Sequence, residues 1–197
     1  MRKLEDMTDE QLAMLYVDGD NKAFDLLLSR NESKIFSYII FIVHDHDTAD
    51  DIFQETFMKV ICRLQQRKYT TSGKFSAWVM RIAHNVIMDW YRLHKVENVV
   101  EANTGNDLSN VGTDITVGNI ESQYVNDQIM NDVRHIMNRL PATQREVVFM
   151  RYYQDMSFKE IADATNVSIN TALGRMRYAI LNMRRMAKVY DVHLQLA

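Results

Sequence analysis

Two segments of this sequence combine side chains that suit contact with nucleic acids. The segment Ser157 to Arg185, SFKEIADATNVSINTALGRMRYAILNMRR, predicts a short helix, a tight turn near Asn166 and a longer basic helix capped by Ser168. The segment Phe75 to Arg92, FSAWVMRIAHNVIMDWYR, mixes aromatic, basic and amide side chains on one predicted helix. Aromatic and basic groups together suit unstacked bases and their phosphates. The chain therefore carries a predicted duplex reader and a predicted single-strand reader.

The helix that begins at Ser168 is predicted to be amphipathic. Its apolar positions predict a buried face made of Ile169, Ala172, Met176, Ala179, Ile180 and Met183. The candidate contacts to duplex DNA lie at its cap, on the opposite face or on the flanks: Ser168, Asn170, Thr171, Gly174, Arg175, Arg177 and Tyr178. Glycine inside a helix costs about 1 kcal/mol relative to alanine, and a close approach to DNA would explain Gly174. The alternative is an ordinary helical hairpin with solvated arginines.

The single-strand reader is predicted from a second helix and the loop before it. Trp78, Ile82 and Val86 are predicted to face inward, whereas an outward stripe is expected from Arg81, His84, Asn85, Met88 and Arg92. The loop residues that could cradle a flipped base are Lys68, Tyr69, Ser72 and Lys74. A solvated helix face is the alternative interpretation of the stripe.

Composition predicts an all-α protein that acts in a reducing compartment. The 197 residues include one proline and six glycines, and apolar spacing is helical with no alternating strand pattern. Cys62 is the single cysteine, so no internal disulfide can form, and its apolar neighbours predict a packed thiol. No signal-peptide core or membrane span is present in the sequence, which favours a cytoplasmic location without membrane insertion.

The distribution of charge agrees with a nucleic-acid partner although the formal net charge is −3. Residues 157–188 contain six basic and two acidic side chains, a net charge of +4. Residues 95–123 contain one basic and five acidic side chains, a net charge of −4. Since local charge decides where a polyanion binds, the basic segment remains a suitable DNA surface.

The chain is predicted to form two helical domains joined by a flexible acidic linker, with the helix-turn-helix in the C-terminal one. The predicted boundaries are 1–95 for the first domain, 96–122 for the linker and 123–197 for the second domain. Thr8 and Gln11 have the spacing of a capping box for the first helix. Later helices are predicted over Ala23 to His44, from Asp47 or Thr48 to about Gln66, over Phe75 to His94, and after Pro141.

These blocks resemble, in order, the bacterial RNA polymerase sigma factors of the extracytoplasmic-function (ECF) subfamily. Asp47 to Leu64, DTADDIFQETFMKVICRL, resembles the segment that docks on the polymerase clamp. Phe75 to Arg92 resembles the segment that melts and reads the −10 element, and Leu140 to Arg185 resembles the domain that reads the −35 element. The resemblance covers nearly the whole chain. It implies a non-catalytic initiation factor that binds core RNA polymerase and promoter DNA, both duplex and single-stranded.

The resemblance also assigns roles to individual residues. It implies polymerase binding by Asp50, Asp51, Gln54, Glu55 and Phe57. It places Asn85 and Asp89 at the −10 strand and makes Lys68 to Lys74 the base-capturing loop; Phe75 and Arg81 join that candidate −10 set. In the second domain the family pattern is matched by Arg145, Glu160, Ile161, Ala162, Thr171 and Arg175.

Departures from the family are confined to the predicted duplex reader. Leu173, Gly174 and Tyr178 stand where the family usually has a basic residue, a serine and an arginine, which alters the expected −35 preference. No third domain is expected after Leu196, so control is expected from a separate anti-sigma factor. The resemblance places the acidic linker in the RNA channels of the polymerase, and a plain solvated tether is its alternative.

Two other functional classes remain open at this point. A helix-turn-helix regulator with an N-terminal ligand or dimerisation domain would explain Ser157 to Arg185 but not the docking block. An enzyme would need a site such as His44, Asp45, His46 and Asp47, yet this spacing lacks a zinc motif and suits a helix-capping loop. No phosphate loop, nucleophile elbow or catalytic carboxylate pair is evident, so neither a cofactor nor a metal is expected.

Overall fold

The computed structural model describes residues 3–70, 74–101 and 136–189, with side chains described for all of these except 95–101 and 189. Within these ranges the regular elements are all helical, which confirms the predicted all-α fold. The chain divides into two compact units, Met1–Leu108 with Glu160–Asn166 and Ser109–Lys159 with Val167–Ala197. Much of the predicted linker lies outside the described residues, and the predicted domain boundaries stay predictions.

The first unit contains a short 3-10 helix, Leu4–Asp6, and four α-helices that pack on one another. These are α1 (Asp9–Val17), α2 (Asn21–Val43), α3 (His46–Gln65) and α4 (Phe75–Glu101). Their apolar stripes meet in one core, whose fully buried side chains include Leu12, Leu27, Ile35, Ile39, Ile52, Leu64, Met80, Ile82 and Ile87. Helix α4 continues through residues 96–101, which contain no glycine or proline that would end it and which the sequence analysis had placed in the linker.

Side-chain caps set where the first three helices begin. The Thr8 hydroxyl accepts the Gln11 N–H and the Gln11 side chain accepts the Thr8 N–H, which confirms the predicted capping box. Asp20 caps α2. Asp45 caps α3 by accepting the Thr48 N–H at 2.8 Å, so α3 starts one or two residues before the predicted Asp47 or Thr48.

The second unit is built around α5 (Ala142–Tyr152) and α7 (Ile169–Val189), which pack on each other. Pro141 directly precedes α5, where its fixed φ and missing N–H cost nothing. The Asn182 amide donates to the Gln144 side-chain oxygen at 2.8 Å and links the two helices. Between them along the chain lies α6 (Phe158–Thr165), most of which belongs to the first unit in the division given above. Among the helices described here, none combines the length and the apolar character needed to cross a bilayer.

Candidate docking and nucleic-acid interfaces

Helix α3 presents a continuous exposed face at spacings of three and four residues. Asp51, Gln54 and Glu55 are exposed on it, as the sequence predicted. Met58 follows one turn later and is 65% exposed, so an apolar side chain lies beside the carboxylates. The Glu55 carboxylate contacts the Lys59 ammonium at 2.7 Å, but this pair is exposed and leaves the face acidic.

Three other predictions on α3 need correction or refinement. Phe57 is only 7% exposed and its ring centroid lies 4.8 Å from that of Phe53, so it packs into the core and exposes little surface. Asp50 is half-exposed and hydrogen-bonds His46 at 3.1 Å. Cys62 is exposed, because it falls on the outward face of α3, and the prediction of a packed thiol is wrong.

The segment from His44 to Asp47 joins α2 to α3. His44 has a positive φ of 58° and ends α2, while the Asp45 carboxylate caps α3. Hydrogen bonds from the Thr48 side chain and backbone hold the pKa of Asp45 below its usual range. No group of three potential ligands is arranged for a metal ion among residues 3–70, 74–94 and 136–188. The Asp45 cap is the feature that the capping alternative predicted for this segment.

Helix α4 has one buried and one exposed face. Ile82 and Val86 are buried as predicted, whereas Arg81 and Asn85 are exposed one turn apart. Asp89 lies on the next turn, partly exposed, and accepts a hydrogen bond from Arg92 at 2.8 Å. The exposed stripe therefore offers a guanidinium and an amide side by side, with donors for phosphate and base edges.

His84 does not belong to this stripe. Its side chain is only 8% exposed and its Nδ1 lies 3.3 Å from the Tyr38 hydroxyl of α2. Its neighbours Ile82, Ala83 and Val86 are also buried, so the core-facing arc of α4 is wider than the predicted one. The prediction of an outward His84 is wrong, and the residue instead links α4 to α2.

Three aromatic rings pack together where the loop meets α4. The Tyr69, Phe75 and Trp78 ring centroids lie 4.8 to 5.7 Å apart. Tyr69 is 7% and Phe75 is 1% exposed, so these two candidate −10 residues have little surface available for stacking on a base. Trp78 is partly exposed and not fully inward as predicted. Lys68 and Lys74 are exposed at the two ends of the loop, and Ser72 lies outside the described residues.

Glu10 of α1 holds the start of α4. Its carboxylate accepts the backbone N–H of Phe75 at 3.0 Å, across 65 residues of sequence. A carboxylate at this position also interacts favourably with the helix dipole. Desolvation raises the pKa of Glu10, but its hydrogen bonds, above all that from Phe75, lower the pKa below the ordinary value of 4.5. The sequence analysis missed Glu10, because its local pattern marks only the first turn of α1.

The neighbouring Tyr69 hydroxyl is buried and has no hydrogen-bond partner among the described residues. Burial raises its pKa to about 12, with a further contribution from the Glu10 and Asp9 carboxylates. The phenol is therefore neutral at physiological pH. Its ring packs edge-on against the Phe75 ring, with the two centroids 5.6 Å apart.

Glu10→Ala should weaken the start of α4 more than Glu10→Gln, which keeps an acceptor oxygen. We expect Glu10→Ala to lower the free energy of unfolding by about 1 kcal/mol and to slow promoter opening. Because the folded pKa is depressed, the wild-type contribution is complete above pH 4.5 and disappears as the pH falls through the depressed value. Chemical denaturation from pH 3 to 7 measures this, with the exposed Glu32→Ala as control. Equal losses in both Glu10 variants would contradict the capping role.

The turn between α6 and α7 has the geometry that the sequence predicted. Asn166 adopts a positive φ of 54°, which asparagine tolerates well. The Ser168 hydroxyl then accepts the Thr171 N–H at 3.0 Å and lies 2.9 Å from the Thr171 hydroxyl. This cap confirms Ser168 as the start of the longer basic helix.

Helix α7 separates an apolar face from an exposed polar one. Ala172, Met176 and Ala179 are buried as predicted, and Ile180 and Met183 are partly buried. The exposed side carries Asn170, Thr171, Arg177, Tyr178 and Arg185, with Gly174 and Arg175 partly exposed. Ile169 is 46% exposed because it lies in the first turn, beyond the main packing face, so its predicted burial is wrong. A Cβ added at Gly174 would meet no heavy atom within 4 Å.

Two family models match the segments that carry the surfaces on α3, α4 and α7. Sigma-70 region 2 matches residues 27–96, which include the α3 face and α4, and Sigma-70, region 4 matches residues 130–175, which include α5, α6 and the first turns of α7. The RNA polymerase sigma-H factor of Pseudomonas aeruginosa is 28% identical over 171 residues, covering 85% of this chain and 88% of that protein. The ECF RNA polymerase sigma factor SigW of Bacillus subtilis is 25% identical over 161 residues, covering 80% of this chain and 85% of that protein.

Solved structures share the same fold. The sigma factor RpoE from Bartonella quintana, crystallised with the anti-sigma factor NepR, gives a TM-score of 0.65 at 21% identity, covering 85% of this chain and 98% of that chain. CnrH, in complex with the cytosolic domain of CnrY, gives a TM-score of 0.64 at 20% identity, covering 92% of this chain and 97% of that chain. Family matches in the expected order and relatives aligned over most of their length lead to one conclusion: the chain belongs to the sigma-70 family, as an ECF RNA polymerase sigma factor.

Proposed function

We propose that this sigma factor binds core RNA polymerase through α3, reads the −10 element with α4 and the preceding loop, and reads the −35 element with α7. The observation that carries the proposal is that three helices, α3 wholly and α4 and α7 partly within the matched family regions, expose polar faces of different chemistry. Acidic and amide groups lie on α3, basic and amide groups on α4, and basic and small residues on α7. One chain thus has a separate surface for each of three contacts.

The α3 face suits a basic, partly apolar partner groove. Asp51 and Glu55 supply negative charge, Gln54 supplies donors and an acceptor, and Met58 supplies exposed apolar area. Such a combination gives charge complementarity together with an apolar anchor that loses water on binding. We assign this face, without Phe57, to core polymerase.

The α4 surface suits an unpaired strand. Arg81, Asn85 and the lysines Lys68 and Lys74 provide phosphate and base contacts near the packed rings of Tyr69 and Phe75. Since Asn85 can donate to and accept from a base edge, it is our candidate for strand recognition. Asp89 orients Arg92 and so acts on the same surface.

Three further properties follow from this assignment. Nucleotide addition belongs to the polymerase, and the sigma factor itself is not an enzyme. It works in the cytoplasm with the transcription machinery. Because the structurally similar RpoE and CnrH were solved with NepR and with the cytosolic domain of CnrY, we propose that an anti-sigma factor also controls this chain by covering its polymerase and DNA surfaces.

Reconstituted transcription tests the function as a whole. Core RNA polymerase supplemented with this chain should transcribe a distinct set of genomic promoters, and the chain should co-purify with core enzyme. A helix-turn-helix regulator of another class would bind DNA without holding core polymerase. Failure to bind core polymerase would therefore favour that alternative.

Asn85→Ala should impair promoter opening on duplex templates while leaving core binding intact. A lost base contact costs about 1–3 kcal/mol, so opening should fall by a factor of about 5 to 160. A pre-melted −10 bubble should restore activity if Asn85 acts in melting, and should not restore it if Asn85 captures a base. Permanganate footprinting measures opening, with the exposed Asn21→Ala on α2 as the matched control. Normal opening by Asn85→Ala would contradict the −10 assignment of this residue.

A further inference from the structure

The DNA-facing side of α7 contains an apolar side chain that packing does not account for. Leu173 is 43% exposed, although Ala172 and Met176 beside it are 0% and 6% exposed and form the packing face. Asn170 lies three residues before Leu173 and Arg177 lies four residues after it, and both are exposed. These three side chains are neighbours on the helix surface. Leu173 therefore lies next to two side chains that can contact bases.

Gly174 opens the space beside Leu173. A Cβ at Gly174 would meet no heavy atom within 4 Å, so neither a side chain nor a neighbouring residue covers the helix backbone at this point. An uncovered backbone allows the helix to come close to a base pair, and a leucine beside the glycine then reaches the floor of the groove. A residue with a longer polar side chain would instead extend toward phosphates.

The chemistry of leucine selects what it can read. It has no hydrogen-bonding group, and the C5-methyl group of thymine is the apolar feature among the base edges of the major groove. Contact between the leucine and this methyl group removes apolar surface of both from water. Cytosine lacks the methyl group, and uracil differs from thymine by that group alone.

We propose that Leu173 determines −35 specificity by packing against the C5-methyl group of a thymine. This inference rests on the proposed assignment of α7 to the −35 element and adds the identity of one base. The hydrogen-bonding residues Asn170 and Arg177 then read or position the flanking pairs. The preference for thymine at one −35 position follows from a single exposed leucine.

Removal of single thymine methyl groups from the DNA tests the proposal with the complete holoenzyme. Core polymerase reconstituted with the full chain first selects its promoters from genomic DNA, which defines the −35 element. Each thymine of that element, on both strands, is then replaced singly by deoxyuridine. At one position, wild-type binding should weaken about fourfold, the scale expected for losing one buried methyl group.

Variants of α7 identify the leucine as the reader. Leu173→Ala should bind the thymine duplex about fourfold more weakly and show no further loss with deoxyuridine. Leu173→Gln, of similar volume, should lose the same methyl dependence. Leu181→Ala is the matched control, because Leu181 is 49% exposed two turns further along α7 and should keep the wild-type ratio. Thermal unfolding of each variant verifies the fold.

Several results would overturn the inference. These are a −35 element without thymine, a wild-type holoenzyme indifferent to deoxyuridine at every position, or an unchanged thymine-to-uracil ratio in Leu173→Ala. Failure of the proposed function has a different outcome, in which the holoenzyme selects no −35 sequence. Specific −35 binding that ignores the methyl group would therefore reject the role of Leu173 alone.

Discussion

Reversing two charges on α3 should abolish the binding of core RNA polymerase while the first unit stays folded. Asp51→Arg with Glu55→Arg places two cations where a basic partner groove is expected to meet carboxylates. A central charged contact in an interface is worth about 2 kcal/mol or more, so the affinity should fall at least about thirtyfold. Both residues are exposed, and the Glu55 pair with Lys59 contributes little to stability. Affinity measured against immobilised core enzyme gives the result.

A matched control separates the position of the charges from their number. Asp25→Arg with Glu32→Arg makes the same change of net charge on exposed positions of α2, and it should leave core affinity within about threefold of wild type. Met58→Ala should weaken binding without any change of charge. If the α2 pair weakened binding as much as the α3 pair, the docking face would be assigned to the wrong helix.

Gly174→Leu should eliminate recognition of the −35 element. The added side chain meets open space within the protein, and leucine is about 0.8 kcal/mol more favourable than glycine inside a helix, so the fold should be slightly stabilised. The same side chain would occupy the space through which the helix approaches DNA. The variant holoenzyme should therefore bind intact and scrambled −35 elements equally. Competition between the two promoters, at a stated salt concentration, measures the ratio.

Gly174→Ala distinguishes close approach from helix propensity. Alanine gains slightly more helix stability than leucine and adds only a methyl group, so it should reduce −35 discrimination less than leucine does. Wild-type discrimination by Gly174→Leu would show that the glycine has no role in approach. In both variants, normal core binding and normal transcription from a pre-melted −10 template would show that the protein is intact.

Features decided within one helical turn were well predicted from the sequence. The capping box of Thr8 and Gln11, the tight turn at Asn166 and the Ser168 cap all depend on side chains and backbone groups within four residues. Helical spacing also predicted the exposed acids of α3 and the buried Ala172, Met176 and Ala179 of α7. Such patterns suffice because the period of the helix fixes which residues share a face.

Features that depend on distant packing were missed. A family motif contains both surface and core positions, and only the packing of α3 shows that Phe57 supports the motif from within. The same holds for Phe75 and Tyr69, whose aromatic character suited base stacking but whose rings are buried and pack on each other. The contact of His84 with Tyr38 spans 46 residues, and no local pattern indicates it. Aromatic and histidine side chains suit both roles, so composition alone could not separate them.

The hydrogen bond from the Phe75 N–H to Glu10 has a consequence for how the chain is made. The bond joins groups 65 residues apart, which take roughly 3–13 s to synthesise at 5–20 residues per second. Arg30 donates to the Met7 and Glu5 carbonyl oxygens, so α2 can tether the N-terminal segment well before Phe75 leaves the ribosome. Helix α3 also emerges earlier than α4. A nascent chain therefore completes α3, the proposed docking helix, before it can complete the start of α4, the proposed reader of the −10 strand.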